Sequence, residues 1–224
     1  MKKIITLASA GLTLGLLAAC SPKTPVVPDD ATTTSSSSSS LDSMTASSST
    51  ASSDTWAWDG KLMNGKHNVI LKTSKGDIKV ELDAGIAPKT VTNFMVLAAS
   101  GYYNGVTFHR VIPGLMIQGG DPTGNGRGGK SVYGDTFEDE IDANSETYKI
   151  GYKTGVIAMA NRGKNTNGSQ FFIMDADNPL PPNYTIFGRV LSGQEVVSAI
   201  ANVPRDSSDK PKEKVSFSVE ILVK

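Results

Sequence analysis

The chain has 224 residues, with 22 lysines and arginines against 22 aspartates and glutamates, so its formal net charge is zero. Without residues 1–19, which include two lysines, 20 basic and 22 acidic side chains remain, a formal charge of −2. This balance argues against nucleic acid or an anionic surface as the main partner, and the single cysteine, Cys20, excludes an internal disulfide.

Residues 1–19 have the pattern of an export signal. Lys2 and Lys3 are followed by an apolar run and then by small residues. The ending LAAC at 17–20 resembles the lipobox of bacterial lipoproteins, so we expect cleavage after residue 19 and lipid modification of Cys20. The protein would then lie outside the cytoplasm, anchored to a bacterial membrane at the cell surface or the periplasmic face. The alternative is an ordinary signal peptide whose apolar region happens to end in a cysteine.

Residues 20–55 are expected to form a disordered tether between this anchor and the folded part. Positions 31–53 contain twelve serines and five threonines, a composition that cannot bury a core. A coil of this kind reaches roughly 30 Å on average. The alternative is O-glycosylation, which would stiffen the tract. Residues 56–224 remain, a normal size for one domain.

Short β-rich runs separated by turn signals dominate residues 56–224. Eight such runs together with two helices predict a mainly β domain, a closed eight-stranded β-barrel capped by two α-helices. The runs begin at His67, Gly76, Val106, Leu115, Gly155, Gln170, Thr185 and Lys214.

The two helices are predicted from their end signals and apolar stripes. The first covers 87–100, with Pro88 near its start. The second covers about 193–201, where Ser192 followed by Glu195 predicts a capping box. Both are expected to pack as lids on the ends of the barrel.

Residues 108–120, FHRVIPGLMIQGG, combine two short apolar runs with a Pro-Gly turn, which is typical of a hairpin-like corner. By the two-residue period of a strand, Arg110 shares a face with Phe108, and Gln118 shares one with Met116. We interpret the guanidinium as a half-buried donor facing a groove. The alternative is an arginine that extends from a strand to the surface.

A second stretch, GVIAMANRGKNTNGSQFFI at 155–173, is followed by YTIFGRV at 184–190. Together with 108–120, these motifs resemble the cyclophilin family of peptidyl-prolyl cis/trans isomerases, and the resemblance extends from about residue 67 to 223. It implies an eight-stranded antiparallel β-barrel with a helix at each end. It also implies isomerisation of Xaa-Pro bonds in polypeptide substrates without a cofactor.

The resemblance further implies which residues bind proline. Arg110, Gln118 and Phe172 match the positions taken as catalytic. The substrate-binding positions fall on Leu115, Met116, Gly126, Ala160, Asn161, Arg162, Gln170, Leu180 and Tyr184, with Pro179 beside them.

Four positions depart from the pattern that is commonest in eukaryotic members of the family. Leu115 stands where Phe is usual, Arg162 where Ala is usual, Pro179 where Trp often lies and Tyr184 where His often lies. Leu115 and Tyr184 still supply an apolar or aromatic wall. In the family the indole helps to hold cyclosporin, so we expect weak inhibition of this chain by that drug.

Rotation about the Xaa-Pro bond transfers no proton or electron, but it breaks amide resonance and frees the lone pair of the prolyl nitrogen. A donor aimed at that nitrogen stabilises only the transition state. Arg110 is the candidate donor, because it is always charged and its fork is planar. Gln118 would brace that guanidinium and hold the carbonyl before proline, and the Asn161 backbone would pair with the peptide. The apolar pocket would be formed by Leu115, Met116, Phe172, Leu180 and Tyr184.

Residues 124–131, GNGRGGKS, satisfy the P-loop pattern. A phosphate loop needs a buried strand before it and a helix after it. Here Asp121 and Pro122 precede the glycines, and 132–135 does not read as a helix start. We therefore interpret this stretch as an irregular loop at the edge of the groove, with nucleotide binding as the alternative.

Other polar residues give weaker signals. His67 and His109 have no Cys or carboxylate at metal-ligand spacing, so no metal site is expected. The run EDE at 138–140 is interpreted as a solvated loop rather than an acid–base pair. Asn167 lies in a glycosylation sequon but is assigned to a tight loop that leads into a strand.

Three functional hypotheses follow. The first is a membrane-anchored, monomeric peptidyl-prolyl isomerase that assists the folding of exported proteins. The second is a proline-peptide-binding or chaperone module with weak turnover, suggested by Leu115, Arg162 and Pro179. The third, a nucleotide hydrolase, would require Lys130 to bind phosphate.

Overall fold

The structure, a computed structural model, describes residues 58–223. The predicted signal at 1–19, the lipidated Cys20 and the tether at 20–55 lie outside the described residues. The described part has nine strands and three helices. These are β1 (Lys66–Thr73), β2 (Gly76–Asp83), α1 (Pro88–Ala99), β3 (Val106–Thr107), β4 (Arg110–Ile112), β5 (Met116–Gly119), α2 (Glu146–Ile150), β6 (Val156–Met159), β7 (Phe171–Met174), β8 (Ile186–Ser192), α3 (Gln194–Ala201) and β9 (Ser216–Leu222).

The first hairpin shows how alternating apolar residues build the sheet. In β2 every second side chain, from Ile78 through Val80 to Leu82, is fully buried, as expected of a strand with one face on a core. β1 and β2 pair antiparallel along their whole length and end in a tight turn between Thr73 and Gly76.

The sheet curls because one stretch of chain pairs at both of its edges. The strand order is β3-β9-β1-β2-β8-β6-β7-β5-β4, so the two end strands are separated in sequence only by Phe108 and His109. The Phe108 N–H donates to the Val215 carbonyl at 3.0 Å, and the His109 N–H donates to the Gln118 carbonyl at 3.0 Å. The predicted mainly β, antiparallel architecture is confirmed. Nine strands rather than eight are present in residues 58–223, because 106–112 is divided into β3 and β4.

The helix α1 follows its predicted range and closes over an aromatic core. Phe94 is fully buried, and its ring centroid lies 5.0 Å from that of Tyr103 and 5.5 Å from that of Phe171. Burial of such large side chains supplies most of the favourable free energy in a core. These contacts fix α1 against the interior of the curled sheet.

The N-terminus of α1 is capped from a distant loop. Its N-cap residue, Ala87, makes no side-chain capping bond, but the Glu140 carboxylate accepts the N–H groups of Lys89 at 2.9 Å and Thr90 at 2.7 Å. A carboxylate at this end also favours the helix dipole. The interpretation of 138–140 as a solvated loop is therefore wrong for Glu140, which is half-buried.

The predicted capping box of the last helix is wrong. Ser192 is the end of β8 and lies opposite Lys79 of β2, so the N-cap is Gly193, with φ of 93°. A Cβ at this position would lie 2.4 Å from the Asp77 carbonyl oxygen. Only glycine fits so close an approach in that conformation. Because the N-cap is a glycine, Glu195 has no serine at the N-cap with which to form a capping box.

The one-turn helix α2 was not predicted. It has five residues, none of them buried, so it carries no apolar periodicity to recognise. Among the helices of residues 58–223, none combines the length and the apolar character needed to cross a membrane.

Candidate functional site

A groove of about 220 Å³ opens where β4, β5 and β7 meet two loops. It contains all three residues that were predicted as catalytic, Arg110, Gln118 and Phe172. The complete lining is Arg110, Leu115, Met116, Gln118, Ala160, Asn161, Phe172, Leu180 and Tyr184. The apolar pocket predicted for the proline ring is thus brought together by the fold.

A small second core supports the floor of this groove. Phe172 is 5% exposed, and its ring meets that of Tyr184 edge-on, with centroids 5.4 Å apart. The Tyr152 hydroxyl donates to the Tyr184 carbonyl at 2.8 Å and accepts the Tyr184 N–H at 3.1 Å. Burial raises the pKa of Tyr152 to about 12, so this hydroxyl keeps its proton. The wall is therefore held in one arrangement.

Arg110 and Gln118 are direct partners across the β4–β5 pair, but they take different polar contacts. The Gln118 amide donates to the Gln170 Oε1 at 3.1 Å, whereas the Arg110 Nε lies 3.8 Å from Asp209 Oδ2. The prediction that Gln118 braces the guanidinium is therefore corrected: Gln118 bonds to Gln170, and the ion-pair partner of Arg110 is Asp209. Sequence reasoning missed Asp209, since no local motif joins it to Arg110.

Asn161 forms the opposite rim of the groove. Its side-chain amide donates to the Asn183 carbonyl at 2.8 Å, and its Oδ1 accepts the Gly163 N–H at 3.2 Å. The preceding residue, Ala160, donates its N–H to the Gln170 carbonyl at 3.0 Å. Within residues 58–223 the Asn161 backbone N–H and C=O take no partner, so an extended peptide can pair with them.

A second cavity of about 320 Å³ adjoins the first and shares Gln118, Ala160 and Asn161 with it. It contains the remaining predicted positions, Gly126, Arg162 and Gln170. The Arg162 guanidinium donates to the Arg127 carbonyl and so joins the two rims. The predicted substrate-binding residues therefore divide between two connected cavities.

Seven lining residues of the second cavity were not predicted as site residues, and one expected neighbour lies elsewhere. Asp135 and Thr136 lie outside every motif found in the sequence. The other five lie within the stretches 124–131 and 155–173 without having been assigned to the site, namely Gly128, Gly129, Thr166, Gly168 and Ser169. Pro179 is exposed and lines neither cavity.

The glycine loop after β5 is wrapped around a carboxylate. The Asp121 residue is fully buried, and its oxygens accept the N–H groups of Thr123, Asn125, Gly126 and Gly128 at 2.7–3.2 Å. Burial alone would raise the pKa of Asp121, but hydrogen bonds from the Thr123 hydroxyl and from the N–H groups of Thr123, Gly128 and Gly126 outweigh it, and the pKa lies below its usual value.

This arrangement contradicts the P-loop alternative for 124–131. In a phosphate loop the backbone N–H groups face the ligand, whereas here Asp121 takes them, and a phosphate beside that carboxylate would be repelled. The next helix, α2, begins only at Glu146. The loop is therefore not a phosphate-binding loop in which Lys130 could bind a phosphate.

The remaining polar signals have structural explanations. Asn167 is fully buried and donates to Asp139 Oδ1 at 2.8 Å, so its sequon is not accessible to glycosylation. His109 is 8% exposed and lies against Gly126, where a Cβ would come within 3.3 Å of the ring. In residues 58–223, no group of three or more His, Cys, Asp or Glu side chains is arranged to hold a metal ion.

Comparison with known proteins identifies a family and individual proteins to which this chain is similar. Residues 68–220 match the family model described as cyclophilin type peptidyl-prolyl cis-trans isomerase/CLD. The peptidyl-prolyl cis-trans isomerase ppi1 of Schizosaccharomyces pombe is 55% identical over 147 residues, 65% of this chain and 92% of that protein. The peptidyl-prolyl cis-trans isomerase CYP18-2 of Arabidopsis thaliana is 49% identical over 150 residues, 66% and 89% of the two chains.

Solved structures agree with the fold. A crystal structure of a cyclophilin type peptidyl-prolyl cis-trans isomerase from Cryptosporidium parvum has a TM-score of 0.66 and 41% identity, covering 71% of this chain and 99% of that one. A second crystal structure of that protein, in the presence of the dipeptide ala-pro, has a TM-score of 0.65 at the same identity, covering 70% and 99%.

Proposed function

The chain belongs to the cyclophilin family of peptidyl-prolyl cis-trans isomerases, and we propose that the groove between Arg110 and Tyr184 is where it accelerates rotation about Xaa-Pro bonds. The observation that carries this proposal is the opposition of Arg110 and Gln118 across β4–β5. Directly beside that pair lies the buried apolar wall that contains Phe172.

The reaction breaks no covalent bond, so catalysis has only to lower the barrier to rotation about the Xaa-Pro bond. Uncatalysed rotation must cross about 18–20 kcal/mol, because the planar amide is stabilised by resonance. In the twisted form the prolyl nitrogen becomes a hydrogen-bond acceptor. The Arg110 guanidinium, a permanent donor at the groove, stabilises that form more than the planar one, and this difference accelerates the reaction.

The substrate is held by contacts that the planar and twisted forms share. The pyrrolidine ring enters the apolar pocket against Phe172 and Leu115. The free backbone groups of Asn161 pair with the peptide chain, and the Gln118 side chain holds the carbonyl before proline. The Cryptosporidium relative in the presence of ala-pro, a dipeptide that ends in proline, supports a substrate of this chemistry.

Isomerisation of a short Xaa-Pro peptide tests the proposal. Exchange NMR reports both the cis–trans interconversion rate of the peptide and its affinity for the protein. With the full chain at micromolar concentration, we expect the cis and trans signals of the peptide to broaden or to show exchange between each other. Binding without faster exchange would contradict the proposal and favour a proline-peptide-binding or chaperone module.

The cellular setting is part of the proposal. Export through residues 1–19, lipidation of Cys20 and action on exported proteins as a monomer would place the groove at a bacterial membrane surface. The relatives from Schizosaccharomyces pombe and Arabidopsis thaliana match about two thirds of this chain, and this setting rests on residues 1–20 alone. Cys20→Ser is expected to move the protein from the membrane pellet to the soluble fraction with full isomerase activity. Retention of the variant in the pellet would contradict lipid anchoring.

A further inference from the structure

Asp209 is a charged neighbour of Arg110 that comes from a distant part of the chain. Its Oδ2 lies 3.8 Å from the Arg110 Nε, with side-chain exposures of 33% and 47%. This distance is that of an ion pair rather than of a direct hydrogen bond. The contact is made through Nε, and Arg110 also lines the groove.

The backbone of Asp209 is fixed against the strand that carries Arg110. The Val111 N–H donates to the Asp209 carbonyl at 2.8 Å, one residue along β4 from Arg110. Asp209 has φ of 61° and is one of two non-glycine residues with positive φ in 58–223. Such a conformation is costly and persists where the surroundings hold it in place.

The turn before Asp209 is stabilised without help from Arg110. The Asp206 Oδ1 accepts the N–H groups of Ser208 at 2.8 Å and Lys210 at 3.0 Å, and these bonds lower the pKa of Asp206. The Asp206 N–H donates to the Lys210 carbonyl at 2.9 Å, and the Asp209 N–H donates to the Asp206 carbonyl at 3.2 Å. The turn therefore presents the Asp209 carboxylate from a defined position.

We propose that Asp209 is a positioning residue for the isomerase reaction, acting through Arg110. This inference rests on the proposed function of Arg110 as the donor to the prolyl nitrogen. A long arginine side chain at a half-exposed site samples many rotamers. The carboxylate favours those in which Nε faces the turn and the terminal nitrogens face the groove. It makes no contact with the substrate itself.

A second ion pair offers a competing role for the same carboxylate. The Arg205 Nε lies 3.3 Å from Asp209 Oδ1, so Asp209 could serve only to tie its own loop. The two roles differ in what they predict. A loop tie would be broken equally by removing Arg205, whereas a positioning role depends on Arg110.

The decisive variant is Asp209→Asn, with Arg205→Ala as its matched control. Asparagine keeps the size of the side chain and tolerates positive φ, so only the charge is lost. At low salt we expect Asp209→Asn to lower kcat about two- to fivefold, the range of a partly exposed ion pair, with peptide affinity and Tm unchanged. Arg205→Ala is expected to keep the turnover of the unaltered protein.

Ionic strength provides a readout that a purely structural role would not move. Salt screens a half-exposed pair, so turnover of the unaltered chain should fall towards that of Asp209→Asn as salt is raised, whereas the variant should respond little. In an Arg110→Ala background, Asp209→Asn is expected to have no further effect.

Four outcomes would overturn the positioning role or the proposed function of Arg110. Unchanged turnover of Asp209→Asn at low salt, or an equal loss in Arg205→Ala, would overturn the positioning role while leaving Arg110 as the donor. An equal loss from Asp209→Asn in the Arg110→Ala background would do the same. Full turnover of Arg110→Ala alone would overturn the proposed function of Arg110, and the inference with it.

Discussion

Arg110 and Gln118 face each other across the β4–β5 pair, yet their side chains contact different parts of the chain. Gln118 is joined through Gln170 to the glycine loop, because the Gln170 amide donates to the Gly126 and Gly128 carbonyls at 3.1 and 2.9 Å. Arg110 faces the turn that carries Asp209. One side of the pair is thus fixed by neutral hydrogen bonds and the other by charge.

We expect Arg110→Ala to lower kcat by about a hundredfold, the usual effect of removing one donor that acts in the transition state. Ground-state peptide affinity should stay nearly intact, since the planar nitrogen accepts no hydrogen bond from the side chain. Arg110→Lys should restore little activity, because a lysine keeps the charge but lacks the planar fork. NMR lineshape analysis of a proline peptide measures rate and affinity together.

Two outcomes would contradict this prediction for Arg110. Full exchange catalysis by Arg110→Ala would show that the guanidinium is dispensable. An equal loss of affinity and turnover would show that Arg110 only holds the substrate.

Phe172 should contribute to binding in both planar and twisted forms, and its neighbour provides the control. Phe171 and Phe172 alternate along β7, with Phe171 buried in the main core and Phe172 at the groove. Replacing either by leucine should cost about 1 kcal/mol of unfolding free energy. Only Phe172→Leu should weaken peptide binding, measured by NMR titration. Similar affinities for the two variants would show that Phe172 forms no part of the proline pocket.

Local patterns in the sequence were sufficient for the elements whose partners are near in the chain. The strands β1 and β2 and the helix α1 have regular apolar spacing and turn or proline signals, and all three elements were predicted, although the pairing of β1 with β2 was not. Ser192 and Glu195 show the limit of such patterns. The spacing is that of a capping box, but pairing of β8 with β2 places Ser192 in a strand, which no local signal contains.

The candidate site was predicted where a family motif exists and missed where only the fold makes the contact. Arg110, Gln118 and Phe172 converge as expected. Asp209 and Glu140 were not assigned their roles, because the first contacts β4 and the second caps α1 from far along the chain. Charged side chains in polar loops give no periodic signal, so only the three-dimensional structure reveals these partners.

Asp121 should be the most important single carboxylate for stability of the glycine loop. It is buried and accepts four backbone N–H groups. Asp121→Asn removes the charge and replaces one acceptor oxygen by a donor, so we expect a loss of about 2–4 kcal/mol in the free energy of unfolding. Urea unfolding measures the loss. The surface control Asp77→Asn, which breaks the exposed pair with Lys72, should cost less than about 1 kcal/mol.

If Asp121→Asn cost no more than that control, the buried hydrogen bonds would not be what holds the loop. Peptide affinity should also fall in Asp121→Asn, because Gly126 of this loop lines the second cavity. A destabilised variant with unchanged peptide affinity would show that the glycine loop does not contribute to substrate binding.

His109 is the residue expected to make stability depend on pH near neutrality. It is buried, and neither ring nitrogen has a hydrogen-bond partner in the described part of the chain. Burial lowers its pKa from 6.5, with smaller contributions from the positive charges of Lys210 and Arg110, while Asp121 opposes the change. The folded protein therefore favours the neutral imidazole.

Because the unfolded chain binds a proton at His109 before the folded chain does, stability should be fully present above pH of about 6.5 and should fall as pH drops towards the lowered folded pKa. The steepest slope from one such group is about 1.4 kcal/mol per pH unit. Glu81 and Asp121, whose pKa values are also lowered, are carboxylates and lose their contribution only at more acidic pH. Urea unfolding between pH 7.5 and 5 measures the slope. His109→Leu should flatten it, and an unchanged slope in that variant would mean that another group is responsible.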